Sequence, residues 1–350
     1  MSLTYYWKLQ FGANATRKAV ASTVYLSKEE EEQIKKHWTG IKIDDFWFKW
    51  YKKACIVRNE NSTYDYSDIL WKYIPDDYYF KSLCGCFHDL KACEAIDDKN
   101  LYDLYFHDII QPETVLRKIN GVLLDKTYTP LSYKEALTLI RAKGLVVLKS
   151  AKDSCGGKGL WFIGDNVTDV EIEKQLRERN VYVVQECINQ HGALKAIHPE
   201  SINTLRITTF YYSEEMHVLS SVLRMGSGNS KVDNSSSGGI FCGINENGCL
   251  RKFAYNKKMN VFETHPTTGL RFENYSIPGY EACKGFVTNL AYRFLQVSQL
   301  ISWDLAIDEK GRPVLIEVNL KYGDIDFHQI ANGPFFGELT ENVIKSASGP

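Results

Sequence analysis

The sequence predicts an α+β fold with a mainly helical N-terminal region. Two observations support this prediction. The first third of the chain carries helical patterns, whereas from about residue 113 onward apolar strands alternate with capped helices. Several strand pairs are separated only by short polar turns, which is typical of antiparallel hairpins rather than of a doubly wound parallel sheet. With 350 residues, the chain is long enough for two or more lobes.

Composition excludes several classes of protein. The formal net charge is −1, so nothing indicates bulk nucleic-acid binding. No run of about 18 apolar residues is present, so no membrane span is expected. The start of the chain shows no hydrophobic core of a signal peptide, and the cysteines are scattered and odd in number. We therefore expect a cytoplasmic protein with reduced thiols.

Capping signals and hydrophobic spacing locate the helices. The predicted capping boxes are Ser27–Glu30, Ser132–Glu135 and Thr168–Glu171. The aromatic segment DDFWFKWYKKA predicts a helix buried between neighbours. Apolar residues recur at helical spacing at about residues 280–297 and predict a long helix there.

Apolar runs locate the strands that precede the last hairpin. In chain order they are LVVLKS, GLWFIG, VYVVQECI, LRITTFYY and MHVLSSVLR. The segment GSGNSKVDNSSSGG follows and predicts a mobile polar loop that contains Asp233 and Asn234. The segment at His265–Gly269 is either a substrate loop or a simple turn.

The segment Ile301–Asp326 predicts a closing hairpin around a polar turn that contains Gly311. In this hairpin Asp304 is expected opposite Glu317, and Asn319 on the same face as Glu317. Two carboxylates and an amide on an apolar face are costly unless cations neutralise them. Hard oxygen ligands suit Mg²⁺, so the hairpin predicts a magnesium site, with a solvated polar face as the alternative.

A glycine-rich loop, Ser150–Gly159, lies between two predicted strands. Glycines let backbone N–H groups approach phosphate oxygens, although the spacing is not that of a Walker A loop. A plain hairpin turn is the alternative. Lys149 favours phosphate binding, because it is the one charge at the end of an apolar strand and precedes this loop.

Other segments leave alternatives open. The strand end Val184–Ile188 offers backbone groups to an adenine ring or is simply a core strand. Arg206 and Arg224 lie in β-rich runs, where each recognises a phosphate or carboxylate, or pairs with a buried acid. A zinc site is also considered, although the spacing is not that of a standard zinc module. Its candidate ligands are Cys84, Cys86, His88 and Cys93.

The order of these signals resembles the ATP-grasp superfamily, specifically the sugar-transfer-associated ATP-grasp proteins of polysaccharide gene clusters. The segments that carry the resemblance are VLKSAKDSCGGKG, VVQECINQH, SINTLRITTF, LRMG…VDNSSSGG and WDLAID..GRPVLIEVN. The resemblance covers about residues 95–345 and implies an ATP-grasp fold. Two α+β lobes, residues 96–182 and 183–350, would clamp ATP after a helical region at residues 1–95.

The resemblance also implies roles for individual residues. Lys149 and Lys118 would hold the α- and β-phosphates, under a lid of Ser154, Gly156 and Gly157. Glu186, Cys187 and Ile188 would line the adenine, with His191 near the ribose. Asp304, Glu317 and Asn319 would bind one or two Mg²⁺ ions. Arg206 and Arg224 would face the γ-phosphate or an acyl phosphate, and the role of Lys158 is open.

The implied activity is that of an ATP-dependent carboxylate–amine (or related) ligase in polysaccharide biosynthesis. It would act through an acyl phosphate, on a sugar acid or an amino acid and a further acceptor. A kinase of the same fold is the first alternative, with Asp304, Asp324 or His328 as the general base. A nucleotide-binding protein without turnover is the second, although the complete set Asp304, Glu317 and Asn319 argues against it.

Overall fold

The computed structural model describes residues 14–59, 65–152, 159–234 and 238–347. The strands are β1 (Thr114–Ile119), β2 (Val122–Asp125), β3 (Val146–Ser150), β4 (Trp161–Ile163), β5 (Tyr182–Glu186), β6 (Thr204–Tyr212), β7 (Glu215–Met225), β8 (Ile240–Ile244), β9 (Leu250–Tyr255), β10 (Val261–Phe262), β11 (Leu300–Ile307) and β12 (Pro313–Asn319). They form two antiparallel sheets, with strand orders β2-β1-β5-β3-β4 and β10-β9-β8-β7-β6-β11-β12. The predicted α+β class is confirmed.

The helices in chain order are α1 (residues 14–21), α2 (Lys28–His37), α3 (Phe46–Asn59), α4 (Ser67–Leu70), α5 (Asp76–Tyr78), α6 (Cys84–Phe87), α7 (Leu90–Ile96), α8 (Tyr102–Tyr105), α9 (Tyr133–Lys143), α10 (Asp169–Glu178), α11 (Gly192–Ile197), α12 (Tyr280–Ala291), α13 (Asp326–Asn332) and α14 (Thr340–Ala347). A π-helical turn spans Tyr79–Leu83, and 3₁₀ turns span Lys99–Leu101, Tyr292–Phe294 and Gly337–Leu339. None of these described helices is long and apolar enough to cross a membrane.

Each of the three predicted capping boxes is present, at the starts of α2, α9 and α10. The predicted aromatic helix is α3, and most of its side chains are buried. The helix predicted at residues 280–297 ends earlier, because α12 gives way to the 3₁₀ turn Tyr292–Phe294.

The N-terminal helices are part of the larger lobe. Their buried aromatic side chains share one core with α13, α14 and one face of the seven-stranded sheet. Helix α12 covers the opposite face of that sheet, and α9 and α10 cover one face of the five-stranded sheet. Strand β5 pairs with β1 and β3, so the smaller lobe extends to Glu186, and a boundary at residue 182 would divide this strand.

The four residues considered for zinc lie in separate surroundings. Cys84 packs in the core shared with the N-terminal helices, whereas Cys93 packs beneath α12. The His88 ring bonds to the Ser298 hydroxyl at 2.9 Å. Across the described residues, no group of three or more His, Cys, Asp or Glu side chains is arranged to hold a metal ion.

A buried arginine joins the N-terminal helices to α13. Arg17 lies 2.6 Å from a carboxylate oxygen of Asp326 and 3.0 Å from one of Asp76. Tyr51 donates a hydrogen bond to Asp76 at 2.7 Å. Burial raises the pKa of Asp76 to about 7, with Arg17 acting in the opposite direction and Asp326 adding to the rise.

The Asp76 carboxyl should therefore make stability depend on pH near neutrality. Since its pKa is raised in the folded state, its contribution is present at low pH and is lost as the pH rises through about 7. We expect Asp76→Asn to flatten the decline in the free energy of unfolding between about pH 4 and pH 7, measured by urea denaturation. Glu30→Gln is the control, because Glu30 is another buried acid of the N-terminal helices, where it pairs with Lys52 at 2.7 Å. An unchanged slope in Asp76→Asn would contradict the assignment.

Candidate functional site

The hairpin of β11 and β12 has the predicted register. Asp304 lies opposite Glu317, and Ser302 lies opposite Asn319. Because side chains two residues apart on a strand share a face, the two carboxylates and the amide project from the same face of the large sheet. Gly311 takes a left-handed conformation in the turn, with φ of 77°.

Two arginines neutralise Asp304. Nε and Nη2 of Arg206 donate to the two oxygens of this buried carboxylate, and Nη1 of Arg224 lies 3.3 Å from one of them. Burial acts to raise the pKa of Asp304, but Arg206 and then Arg224 outweigh it and hold that pKa below its usual value. The alternative that these arginines pair with a buried acid is therefore realised in this structure, and Asp304 remains ionised.

Glu317 is paired with Lys99, a residue that the sequence analysis missed. Lys99 donates through Nζ to Glu317 at 2.6 Å, and its backbone N–H donates to the carbonyl of Ala151 at 3.0 Å, just beyond β3. Lys99 thus touches both lobes. The only local signal is that Asp98 caps the turn containing it, by accepting from the N–H of Asn100 at 2.9 Å.

The amide of Asn100 was also missed. Its side chain is fully buried, and neither of its polar atoms has a hydrogen-bond partner in the part of the chain that the structure describes. Leaving such a group unpaired costs free energy, so a water molecule or a ligand would stabilise it.

The oxygen atoms of Asp304, Glu317 and Asn319 are of the chemical type that binds a magnesium ion. Asn319 donates through Nδ2 to the carbonyl of Ser302 at 3.3 Å, which leaves its amide oxygen available. The Glu317 side chain is 25% exposed, so it remains accessible despite its contact with Lys99. Carboxylate and amide oxygens are the ligands that Mg²⁺ prefers. Asp304 is the least available of the three, because both of its oxygens already accept from arginine.

Lys149 lies across the cleft, at the end of β3. Burial, and then the nearby Lys99, lower the pKa of its ammonium group to about 8, with Glu317 acting in the opposite direction. Within the described ranges the ammonium group makes no hydrogen bond or ion pair, so this half-buried cation is available to bind an anion.

Lys118 lies on the other face of the small sheet. Arg117, Val183 and Lys149 are aligned across β1, β5 and β3, whereas Lys118 is aligned with Tyr182 in the adjacent row. Adjacent rows project to opposite faces. Lys118 donates to the carbonyl of Leu176 at 2.7 Å, at the end of α10. The structure therefore does not bring Lys118 to the cleft with Lys149. Arg117, not Lys118, projects from the same face of the small sheet as Lys149.

The predicted adenine segment follows β5. Glu186, Cys187 and Ile188 line a cavity of about 320 Å³ between the two lobes, against the turn of the β11–β12 hairpin. The Glu186 carboxylate is paired with Lys143 at 2.5 Å. Nδ1 of His191 accepts from the N–H of Ala193 at 3.1 Å, which places this histidine at the start of α11. The predicted lid residues Ser154, Gly156 and Gly157, with Lys158, lie outside the described residues.

Comparison with known proteins identifies the family. Residues 81–345 match the family described as sugar-transfer associated ATP-grasp. The chain belongs to this family. No curated protein matches the chain.

Solved structures resemble this ATP-grasp chain at low sequence identity. D-alanyl-alanine synthetase A from Vibrio cholerae is 12% identical, over 73% of this chain and 65% of that chain, with a TM-score of 0.44. An L-amino acid ligase from Bacillus licheniformis is 18% identical, over 73% of this chain and 48% of that chain, with a TM-score of 0.41. D-alanine–D-alanine ligase from Bacillus anthracis is 12% identical, over 75% of this chain and 69% of that chain, with a TM-score of 0.42. The matched parts thus span between about half and two thirds of these proteins.

The polar loop after β7 contacts residues of both ATP-grasp lobes. Its Lys231 lies 5.7 Å from the ring centroid of Phe162 in β4, and its Asp233 lies 3.3 Å from Arg224. His265 bonds through Nε2 to the carbonyl of Gly226 at 3.0 Å, at the start of the loop. His265 therefore anchors this loop.

The three candidate general bases for a kinase differ in availability. Burial lowers the pKa of His328 to about 3, and its Nδ1 bonds to the Ser220 hydroxyl at 2.8 Å. Asp304 is held ionised between two arginines. Burial, and then Asp326, raise the pKa of Asp324, although Lys257 and Arg206 oppose this. Asp324 is therefore the one of these three candidates whose pKa is raised above its usual value.

Proposed function

We propose that this ATP-grasp protein is an ADP-forming ligase that joins a carboxylate to an amine or a related acceptor through an acyl phosphate. The observation that carries the proposal is the convergence of Lys149, which has no ion-pair partner among the described residues, with the polar face of Asp304, Glu317 and Asn319 across one cleft. A cation that faces a set of acids and arginines suits a triphosphate and its counter-ion.

In the proposed reaction, a carboxylate oxygen of the substrate attacks the γ-phosphorus of ATP, and the bond to the β-phosphate oxygen breaks to release ADP. The acceptor then attacks the acyl carbon, loses a proton and displaces inorganic phosphate. Lys149 and Lys99 hold the nucleotide phosphates, and Arg224 faces the transferred phosphoryl group. Such groups act by positioning and by stabilising developing charge.

Glu317 and Asn319, with Asp304, would hold Mg²⁺, which would offset the repulsion between the carboxylate and the triphosphate. Cys187 and Ile188 line the adenine, and His191 lies towards the ribose. The sugar-transfer association of the family supports a role in glycan biosynthesis, with a sugar acid or an amino acid as the carboxylate. A cytoplasmic location stays a prediction from the cysteine content.

A kinase that phosphorylates a hydroxyl is the second candidate. It is favoured by Asp324, because burial raises the pKa of this carboxyl in the direction that suits a general base. The two candidates differ in their products, which are an amide or ester with ADP, or a phosphorylated alcohol with ADP.

The direct test measures ADP release from MgATP in the presence of amino acids, uronic acids and nucleotide sugars, with hydroxylamine added as a trap. Hydroxylamine converts acyl phosphates into hydroxamates, so a ligase should yield hydroxamate and ADP together with the right acid. Lys149→Met should abolish this activity by weakening ATP binding, whereas Lys174→Met, an exposed lysine of α10, should not. ADP release without hydroxamate in every case would reject the acyl phosphate.

A further inference from the structure

Arg117 is a buried arginine that belongs to neither predicted set of site residues. Its side chain is fully buried, and its Nη2 pairs with the carboxylate of Asp103. The guanidinium also lies 4.1 Å from the ring centroid of Tyr128. A fully buried guanidinium needs such partners, because burying an unpaired charge is strongly unfavourable.

Arg117 also donates to two backbone carbonyls, that of Lys126 at 3.3 Å and that of Asn100. Nη1 donates to the carbonyl of Asn100 at 2.5 Å, and the Tyr128 hydroxyl donates to the same carbonyl at 2.9 Å. Arg117 and Tyr128 belong to the small lobe, and Asn100 lies in the 3₁₀ turn that contains Lys99. Two donors on one acceptor fix the peptide that follows Asn100, one residue beyond Lys99.

The same turn is fixed on its other side. The N–H of Lys99 bonds to the carbonyl of Ala151, and Asp98 lies 3.3 Å from Lys152. The backbone of Lys99 is thus held between the end of β3 and Arg117. Its long side chain then reaches the face of the large sheet, where it meets Glu317.

We propose that Arg117 is a positioning residue that fixes Lys99 in the nucleotide cleft. The inference rests on the proposed function, since it takes Lys99 as a phosphate-binding group. Arg117 acts through the Asn100 carbonyl and its pair with Asp103, and does not itself contact the nucleotide. Without Arg117 the turn is no longer fixed, so the Lys99 side chain samples more conformations in the free protein. Nucleotide binding must then restrict these conformations, which costs entropy and weakens affinity.

The test is a double-mutant cycle on MgADP affinity, measured by calorimetry. We expect Arg117→Met to weaken MgADP binding by about tenfold in the wild-type background and to leave the affinity of Lys99→Met unchanged. Tyr128→Phe removes one of the two bonds to the Asn100 carbonyl and should give a smaller loss in the same direction. It also serves if Arg117→Met fails to fold.

Hydrogen exchange gives a readout that does not need a ligand. The amide of Lys99 should exchange faster in Arg117→Met, because the turn that holds it is released. The matched control is Arg141→Met, since Arg141 also ties down a loop of the small lobe, through the carbonyl of Val167. That variant should change neither the exchange of Lys99 nor the MgADP affinity.

Each outcome of these measurements either supports or overturns the proposed role of Arg117. Equal losses of affinity in the wild-type and Lys99→Met backgrounds would show that Arg117 does not act through Lys99, and would overturn the inference. No loss at all, or unchanged exchange at Lys99, would overturn it too. Failure of the wild-type protein to bind MgADP would instead overturn the proposed function itself.

Discussion

Replacing Glu317 by glutamine should reduce ATP-dependent turnover by about a hundredfold or more while the protein stays folded. The substitution removes one charge with little change of shape. Glu317 is the most accessible carboxylate of the candidate metal face, because Asp304 already accepts from two arginines. Turnover and the free energy of unfolding should be measured on the same preparation. Normal turnover in this variant would remove Glu317 from the ligand set.

Glu317 also pairs with Lys99, so the effect of losing a metal ligand must be distinguished from the effect of losing this ion pair. Since it binds Lys99, Glu317→Gln also releases that lysine. Lys99→Met breaks the same ion pair from the other side and is the matched control. If Glu317 binds the metal, the Mg²⁺ concentration for half-maximal turnover should rise much more in Glu317→Gln than in Lys99→Met, which loses a phosphate contact but no metal ligand. The same Mg²⁺ dependence in both variants would mean that the carboxylate serves only to hold the lysine.

The sequence predicted those parts of the fold that depend on local chemistry. A capping box satisfies backbone donors within four residues, and the boxes at the starts of α2, α9 and α10 are present. The register of the closing hairpin is set by its turn and by the alternation of its side chains, so Asp304 was correctly placed opposite Glu317.

The residues that the sequence analysis misplaced depend on tertiary packing. Strand β1 is buried on both faces, so its sequence lacks the alternation that would assign Arg117 and Lys118 to one face or the other. Lys99 lies in a short turn whose partners, Ala151 and Glu317, are far away in the chain. Such long-range contacts cannot be predicted from the periodicity or the motifs of the sequence.

The N-terminal helices illustrate the same limit. Their aromatic content predicted burial but not the surface against which they pack. The structure shows that they cover one face of the large sheet together with α13, through contacts such as Arg17 with Asp326. Removing these helices would therefore expose that face of the large sheet, because the helices and the sheet share one hydrophobic core.

The two arginines beside Asp304 should respond differently to substitution. The fork of Arg206 is occupied by both oxygens of Asp304, and its side chain is 9% exposed. Removing one partner of a buried pair costs about 3–5 kcal/mol, so Arg206→Ala should mainly destabilise the protein. Among the described residues, Arg224 has two ion-pair contacts, each of 3.3 Å, and its side chain is 17% exposed. It is therefore the arginine that can still donate hydrogen bonds to a phosphoryl group.

We therefore expect Arg224→Met to reduce trapped hydroxamate by about a hundredfold while ATP affinity changes little, because a group that acts where charge develops lowers the rate more than ground-state binding. Hydroxamate yield and ATP affinity should be measured with the acid that gives the highest ADP release. Arg206→Lys is the companion variant, since it keeps the charge at Asp304 but loses the two-pronged contact. If ADP forms without hydroxamate and a stable phosphorylated alcohol accumulates, the arginines face a phosphate ester and the kinase with Asp324 as its base becomes the better account.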